Sequence, residues 1–160
     1  MVNFQGTITV IGLVALGILV SMLVVVVLPK VVFHFMQSPL NDRIGAQYQP
    51  EEIRMKDLQA LSFGRESAGV WQLRGNGGLV LTGKQVHFFM FFPPSNLCIP
   101  LDAIDELTIT KSHLGKATRA DLLKVRFSVD GKRDSIAWYL TDPKVWKSTM
   151  EAFKADSPIS

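Results

Sequence analysis

Apolar positions are concentrated near the amino terminus of the chain. Ile8–Leu28 contains no charged side chain, and its only polar side chains are those of Thr9 and Ser21. About 20 apolar residues in a helix cross the ~30 Å hydrocarbon core of a bilayer. The pattern therefore predicts a transmembrane α-helix within an anchor region, 1–36, whose last residues form an interfacial extension.

The charges that flank this run predict its orientation. No Lys or Arg precedes it, whereas Lys30, Arg43 and Arg54 follow it. By the positive-inside rule, the amino terminus is expected outside and the C-terminal domain in the cytoplasm. The start lacks the basic region of a cleaved signal peptide. We therefore expect an integral, single-pass protein of a bacterial inner membrane or an equivalent membrane.

Two small residues within this run, Gly17 and Ser21, stand four positions apart and so share one side of a helix. Small residues at that spacing allow two helices to approach closely. They are predicted to form a helix-association site in the membrane. The alternative is a chance pair, because most anchors carry a few small residues.

The hydrophobic period is lost in 37–64, which is predicted to be a linker with one short helix. Pro39 and Gly45 are typical of a connector. Pro50-Glu51-Glu52 indicates a helix start, with proline in the first turn and carboxylates near the positive end of the helix dipole. This helix is expected to end near Leu61. Its thin apolar side consists of Ile53, Leu58 and Leu61.

In 65–156 the hydrophobic period changes to two, which predicts short antiparallel strands. Asn76-Gly77-Gly78 and Asp130-Gly131 are strong hairpin signals. Only 157–160 remain as a tail. The seven expected strands lie at Val70–Arg74, Leu79–Thr82, Gln85–Phe92, Leu97–Leu101, Leu107–Thr110, Leu123–Val129 and Ile136–Leu140.

A single helix is predicted to close the domain. Asp142 can accept hydrogen bonds from the first free amides, and Pro143 suits the first helical position. An apolar side at helical spacing should plug an opening of the sheet. This side consists of Val145, Trp146, Met150 and Phe153.

Two segments, Gly78–Phe89 and Cys98–Leu107, resemble GRAM or bacterial PH-like domains. Members of that family tend to have a Leu-Thr turn before an aromatic strand, then an Ile-Pro-Leu segment, and a tryptophan in the closing helix. The resemblance covers Ser67–Ala155. It implies an α+β PH-like domain, a seven-stranded antiparallel barrel or sandwich capped by a C-terminal helix. The fold hosts lipid-binding, peptide-binding and scaffolding members, so it leaves the ligand open.

Dense aromatics in the third expected strand predict a partner-binding surface. Neighbouring side chains on a strand point to opposite faces, so these rings cannot all enter one core. Some should be exposed, or covered by the linker, the bilayer surface or a partner; burial under Ile53–Leu61 is the alternative to partner contact. The residues are Phe88, Phe89, Phe91 and Phe92.

A second group of residues is basic and could meet anionic lipid headgroups. The alternative is a solvated strand face with an exposed loop. The net charge of +3 is too small to indicate nucleic-acid binding. The basic residues are Lys111, Lys116, Arg119, Lys124 and Arg126.

No constellation typical of an enzyme is present in the sequence. The three histidines lack metal-ligand spacing, and the lone Cys98 lies in an apolar strand and resembles a buried small residue. We expect no catalysis and no cofactor. The predicted function is a membrane-anchored binding module, an accessory subunit that holds a protein partner within a respiratory, photosynthetic or transport complex. The alternative is an anionic-lipid sensor that uses the basic residues.

Overall fold

The computed structural model describes residues 4–69, 71–72 and 74–156; side chains at 4–11, 29–30 and 32–38 are outside this description. The predicted tail, 157–160, and most of the predicted interfacial extension therefore lie outside the described side chains. The chain divides into two compact units, 1–39 and 40–160.

Helix α1 spans Phe4–Gly45. Within the described residues, no helix provides a stretch that is both long and apolar enough to cross a membrane. The predictions of a transmembrane α-helix, of a single-pass integral localisation and of a cytoplasmic C-terminal domain that follows from it are therefore wrong.

The large apolar side chains between Leu13 and Leu28 are exposed in the structure. Gly17 lies on this surface, and a Cβ atom built there would meet no heavy atom within 4 Å. The Ser21 hydroxyl donates to the Ile18 carbonyl of its own helix at 2.9 Å. The helix-association site at Gly17 and Ser21 remains a prediction.

A seven-stranded, wholly antiparallel sheet forms the body of the second unit. Its spatial order is β4-β3-β2-β1-β7-β6-β5, so sequential strands are neighbours everywhere except between β4 and β5. The strands are β1 (Ile53–Arg65), β2 (Gly75–Thr82), β3 (Gln85–Met90), β4 (Ser95–Pro100), β5 (Ile104–His113), β6 (Lys116–Val129) and β7 (Lys132–Tyr139).

The first strand differs from the sequence prediction. Pro50–Glu52 forms a short 3₁₀ helix, but the residues after it, expected to be helical to Leu61, form β1. The strand expected at Val70–Arg74 is absent at the described positions 71, 72 and 74, which belong to the connection between β1 and β2. The expected number of strands is right because β1 replaces the misplaced one.

The main core lies on the inner face of the sheet, where the alternating residues Leu123, Val125 and Phe127 of β6 are buried. Helix α2 (Pro143–Asp156) closes this core with Trp146 and Met150. As predicted, the Asp142 carboxylate accepts the Val145 amide at 3.1 Å and caps the helix. Of the expected apolar side, Phe153 packs at the edge of the core, whereas Val145 is exposed.

Candidate functional site

Strand β3 and the turn after it distribute the four predicted phenylalanines among different surroundings. Phe88 enters the main core beside Trp138, and Phe89 is buried on the opposite face. Phe91 is half-buried, whereas Phe92 is 78% exposed. A ring buried as deeply as Phe88 or Phe89 cannot touch a partner in this conformation, so Phe92 is the one that presents its ring to solvent.

Residues 40–48, from the end of α1 and the turn after it, cover Phe89. Leu40, Ile44 and Tyr48 form a second apolar cluster with Val80 and Phe89. This covering segment lies in the predicted linker, and Ile53 and Leu58 of the alternative segment, Ile53–Leu61, pack against the same cluster. The outer face of β2 and β3 is therefore already occupied by the chain itself.

The side chain of Arg43 fastens this covering segment to the sheet. Its guanidinium donates to the Met90 carbonyl at 2.8 Å and to Asn96 Oδ1 at 2.5 Å. Its Cζ atom lies 5.8 Å from the centroid of the Phe89 ring, within cation–π range. The guanidinium group of Arg43 is thus engaged in contacts within the second unit.

A buried polar network lies under the same segment. The Tyr48 hydroxyl is 2.8 Å from His87 Nδ1 and accepts a hydrogen bond from Gln85 Nε2 at 2.6 Å. The His87 ring stacks on Phe89 with a centroid distance of 4.0 Å, and its Nε2 atom has no partner among the described residues. Burial, and secondarily the charge of Arg43, lowers the pKa of His87. Burial raises the pKa of Tyr48.

We expect the second unit to lose stability as the pH falls below about 6.5, the ordinary histidine pKa. Burial lowers the pKa of both His87 and His113, so between their folded-state and unfolded-state values the unfolded chain binds more protons and unfolding becomes easier. The groups that face His87 are Arg43, Tyr48 and, across the β3–β4 pair, Cys98.

Urea unfolding of the full chain at pH 7.5 and 5.5, followed by tryptophan fluorescence, measures this effect. For each proton taken up on unfolding, the free energy of unfolding can change by at most about 1.4 kcal/mol per pH unit. His87→Gln should reduce the difference between the two pH values. Equal stability of the wild-type chain at both pH values would show that the buried histidines do not titrate as expected.

The largest exposed aromatic side chain of the second unit is Trp71, which is 97% exposed. It lies in the connection between β1 and β2, 66–74. The Gln72 carboxamide accepts the Arg65 amide at 3.0 Å, and the Lys116 ammonium donates to the Gln72 carbonyl. These contacts on the residue next to Trp71 hold this part of the loop, while the indole itself points into solvent.

Trp71 and Phe92 belong to two connections that meet at one end of the β2–β3 pair. The first connection leads into Gly75, the first residue of β2, where a Cβ atom would lie 2.9 Å from Met90 Cε at the end of β3. The second begins at Phe91, whose amide donates to the Asn76 carbonyl at 2.8 Å. We use the name aromatic end for these two exposed residues, Trp71 and Phe92, whose connections flank the Gly75–Met90 contact.

The cations near the aromatic end are engaged in contacts within the domain. Arg74 lies over the Phe63 ring, with its Cζ atom 4.3 Å from the centroid. Arg65 forms an ion pair with the buried Asp134 at 2.6 Å. Together with Arg43, these residues have contacts that an anionic headgroup would have to displace.

The five predicted lipid-binding cations do not form one patch with one role. Lys111 and Arg119 are exposed. Lys116 donates to the Phe63 carbonyl at 3.3 Å and to the Gln72 carbonyl, so it has a structural role. Lys124 and Arg126 line a pocket on the sheet. The structure thus brings two of the five together.

The second unit is a seven-stranded antiparallel sheet followed by one amphipathic C-terminal helix. This architecture is the one that the sequence resemblance to PH-like domains implied. The more specific resemblance to GRAM domains, and the single-pass anchor, have no support from the comparisons. No protein-family model and no curated protein sequence matches the chain.

Solved structures with a similar fold share little sequence with this chain. A chain of the 8S snRNP assembly intermediate has a TM-score of 0.55 and 10% identity, covering 70% of this chain and 89% of that one. The N-terminal PH domain of Vps36 has a TM-score of 0.49 and 16% identity, covering 68% and 84%. The C-terminal domain of a protein from Leishmania infantum has a TM-score of 0.47 and 12% identity, covering 79% and 97%.

Sequence reasoning missed two residues of these surfaces. Trp71 lies in the predicted strand Val70–Arg74, a pattern that gives no signal for a fully exposed side chain, whereas the structure places it in the connection between β1 and β2. Arg133 was not singled out, yet it lines the pocket with Lys124 and Arg126. The Asp130-Gly131 hairpin signal could have found it, since that turn places Arg133 opposite Ser128. Among the described residues, no cluster of His, Cys, Asp or Glu is suited to hold a metal ion.

Proposed function

We propose that this chain is a non-catalytic PH-like binding module that docks a protein partner through its aromatic end. The observation that carries the proposal is the exposure of Trp71, at 97%, on a loop held by hydrogen bonds. Exposed aromatic surface on a protein is typical of interaction sites. Tryptophan is enriched among the residues that contribute most to protein–protein binding.

The state of the neighbouring cations favours a protein over an anionic lipid. A headgroup site needs Lys or Arg side chains that are free to bind phosphate. At the aromatic end, Arg43, Arg65 and Arg74 are held by the Met90 carbonyl, the Asp134 carboxylate and the Phe63 ring. What this end offers is therefore apolar and aromatic surface, which suits an apolar pocket on a partner protein.

Trp71→Ala should weaken partner binding by roughly thirtyfold, which corresponds to a hot-spot loss of ~2 kcal/mol. Phe92→Ala should have a smaller effect in the same direction, because its ring is smaller and less exposed. The measurement is quantitative co-purification of the tagged full chain from its native cells after brief cross-linking, followed by titration of the purified partner.

Tyr139→Ala is the matched control, since it truncates an exposed aromatic residue on β7. It should leave partner recovery unchanged. Equal recovery with Trp71→Ala and Tyr139→Ala would overturn the proposal. So would binding of the wild-type chain to vesicles containing phosphatidic acid, in excess of phosphatidylcholine vesicles, that Trp71→Ala abolishes.

A further inference from the structure

A pocket of about 300 Å³ lies on the outer face of β6 and β7, and three cationic side chains line it. Lys124 and Arg126 alternate with the core residues Val125 and Phe127 and therefore point away from the core. Across the strand pair they face Ala137 and Ser135, whose side chains are short. The pocket lined by these long cationic side chains has room for a small anion.

The two carboxylates that line the pocket are engaged in other contacts. Asp134 pairs with the Arg65 guanidinium at 2.6 Å and accepts the Ser67 hydroxyl at 2.7 Å and the Ser67 amide at 2.9 Å. Glu66 accepts the Ser135 hydroxyl at 2.6 Å. The charge of Asp134 is thus compensated by Arg65, which is not among the residues that line the pocket.

The cationic side chains, in contrast, have donor groups that are available to bind an anion. The side chains of Lys124 and Arg133 form no hydrogen bond and no ion pair with any residue that the structure describes. Arg126 pairs with Glu106 at 2.5 Å, but their side chains are 49% and 45% exposed. Such a surface ion pair contributes little and can exchange for another anion.

We infer that this pocket binds a phosphate group through Lys124, Arg126 and Arg133. Guanidinium groups match the geometry of phosphate oxygens with two parallel hydrogen bonds, and an ammonium group adds a compact charge. The site lies on the outer face of β6 and β7, and it does not share a residue with the aromatic end. It gives the module a second ligand class beyond the proposed protein partner.

Calorimetric titration of the full chain with inorganic phosphate, in chloride buffer, tests the site. We expect saturable binding at one site, weakened at least tenfold by Lys124→Gln with Arg133→Gln. The control pair Lys111→Gln with Arg119→Gln removes the same charge from exposed residues and should change the affinity less than twofold. Glu66→Gln should tighten binding severalfold, because it removes the opposing carboxylate charge and retains an acceptor for Ser135.

A parallel titration with dihexanoyl phosphatidic acid, used below its micellar concentration, identifies the source of the phosphate. Affinity more than tenfold above that of inorganic phosphate indicates a lipid headgroup, and equal affinity indicates a free phosphate. No saturable binding of either probe overturns the inference, as does equal weakening by the two charge-removing pairs. Trp71→Ala should leave phosphate binding unchanged, so the two proposals fail independently.

Discussion

Gly77→Ala is expected to cost the second unit about 3 kcal/mol or more of its free energy of unfolding, at or beyond the upper end of the usual overpacking range. A Cβ atom at this position would lie 2.2 Å from the Phe89 carbonyl oxygen and 2.8 Å from Phe88 Cζ. The oxygen belongs to the backbone of β3 and cannot rotate away. The β2–β3 pair would have to separate, which would disturb both the main core and the cluster around Phe89.

Urea unfolding of the full chain, followed by the fluorescence of the buried Trp138 and Trp146, measures this loss. Gly83→Ala is the matched control because it lies in the turn of the same hairpin and a Cβ atom there would meet nothing within 4 Å. It should shift the unfolding midpoint only slightly. Equal midpoints for the two variants would mean that β2 and β3 do not approach each other as described.

Asp134→Ala should destabilise the second unit by about 2–3 kcal/mol, since it leaves charged and amide donors without their acceptor. Asp134 is buried and accepts hydrogen bonds from Arg65 Nε at 2.8 Å, from both donors of Ser67 and from the Ser135 amide at 2.8 Å. These bonds hold the start of the connection that carries Trp71. We therefore also expect the variant to weaken partner binding.

The stability that Asp134→Ala removes depends on pH in a defined way. Burial opposes ionisation of Asp134, but the hydrogen bonds from Ser67, Arg65 and Ser135 together outweigh it and lower the pKa below its ordinary value of 3.8. The stabilisation is therefore complete well above pH 3.8 and is lost as the pH falls through the folded-state pKa.

Urea midpoints of the wild-type chain and of Asp134→Ala should accordingly converge in acid. Asp102→Ala removes the same charge from an exposed turn and should be nearly neutral at every pH. A constant difference between wild type and Asp134→Ala down to pH 2 would show that the carboxylate charge is not the cause.

The sequence predicted those parts of the fold that local signals specify. β6 and β7 follow from strict alternation on either side of Asp130-Gly131, because a half-buried strand needs an apolar residue at every second position. Helix α2 follows from its aspartate cap and proline. These signals act over a few residues and do not depend on the rest of the chain.

The first strand was missed because β1 departs from regular pairing. Its register with β2 shifts between Asp57 and Ala60, and a bulge of this kind breaks the period of two. The remaining apolar spacing of Ile53, Leu58 and Leu61 then imitates a helix.

The candidate sites depended on this missed strand and on cross-strand register. The sequence predicts a strand at Val70–Arg74, whereas the pairing of β1 with β2 makes Trp71 part of the connection between them. Arg133 joins Lys124 and Arg126 only through the pairing of β6 with β7. The burial of Phe89 depends on residues 40–48, which carry no periodic signal of their own.

The central claim is that a protein partner covers the indole of Trp71. The direct measurement is fluorine NMR of the full chain labelled with 5-fluorotryptophan, in which Trp71→Phe assigns one of three expected signals. In the free protein we predict that only the Trp71 signal, unlike those of the buried Trp138 and Trp146, shifts on exchange from H₂O to D₂O. In the complex with the purified partner, that solvent shift should disappear. A Trp71 signal that keeps its solvent shift in the complex would contradict the account.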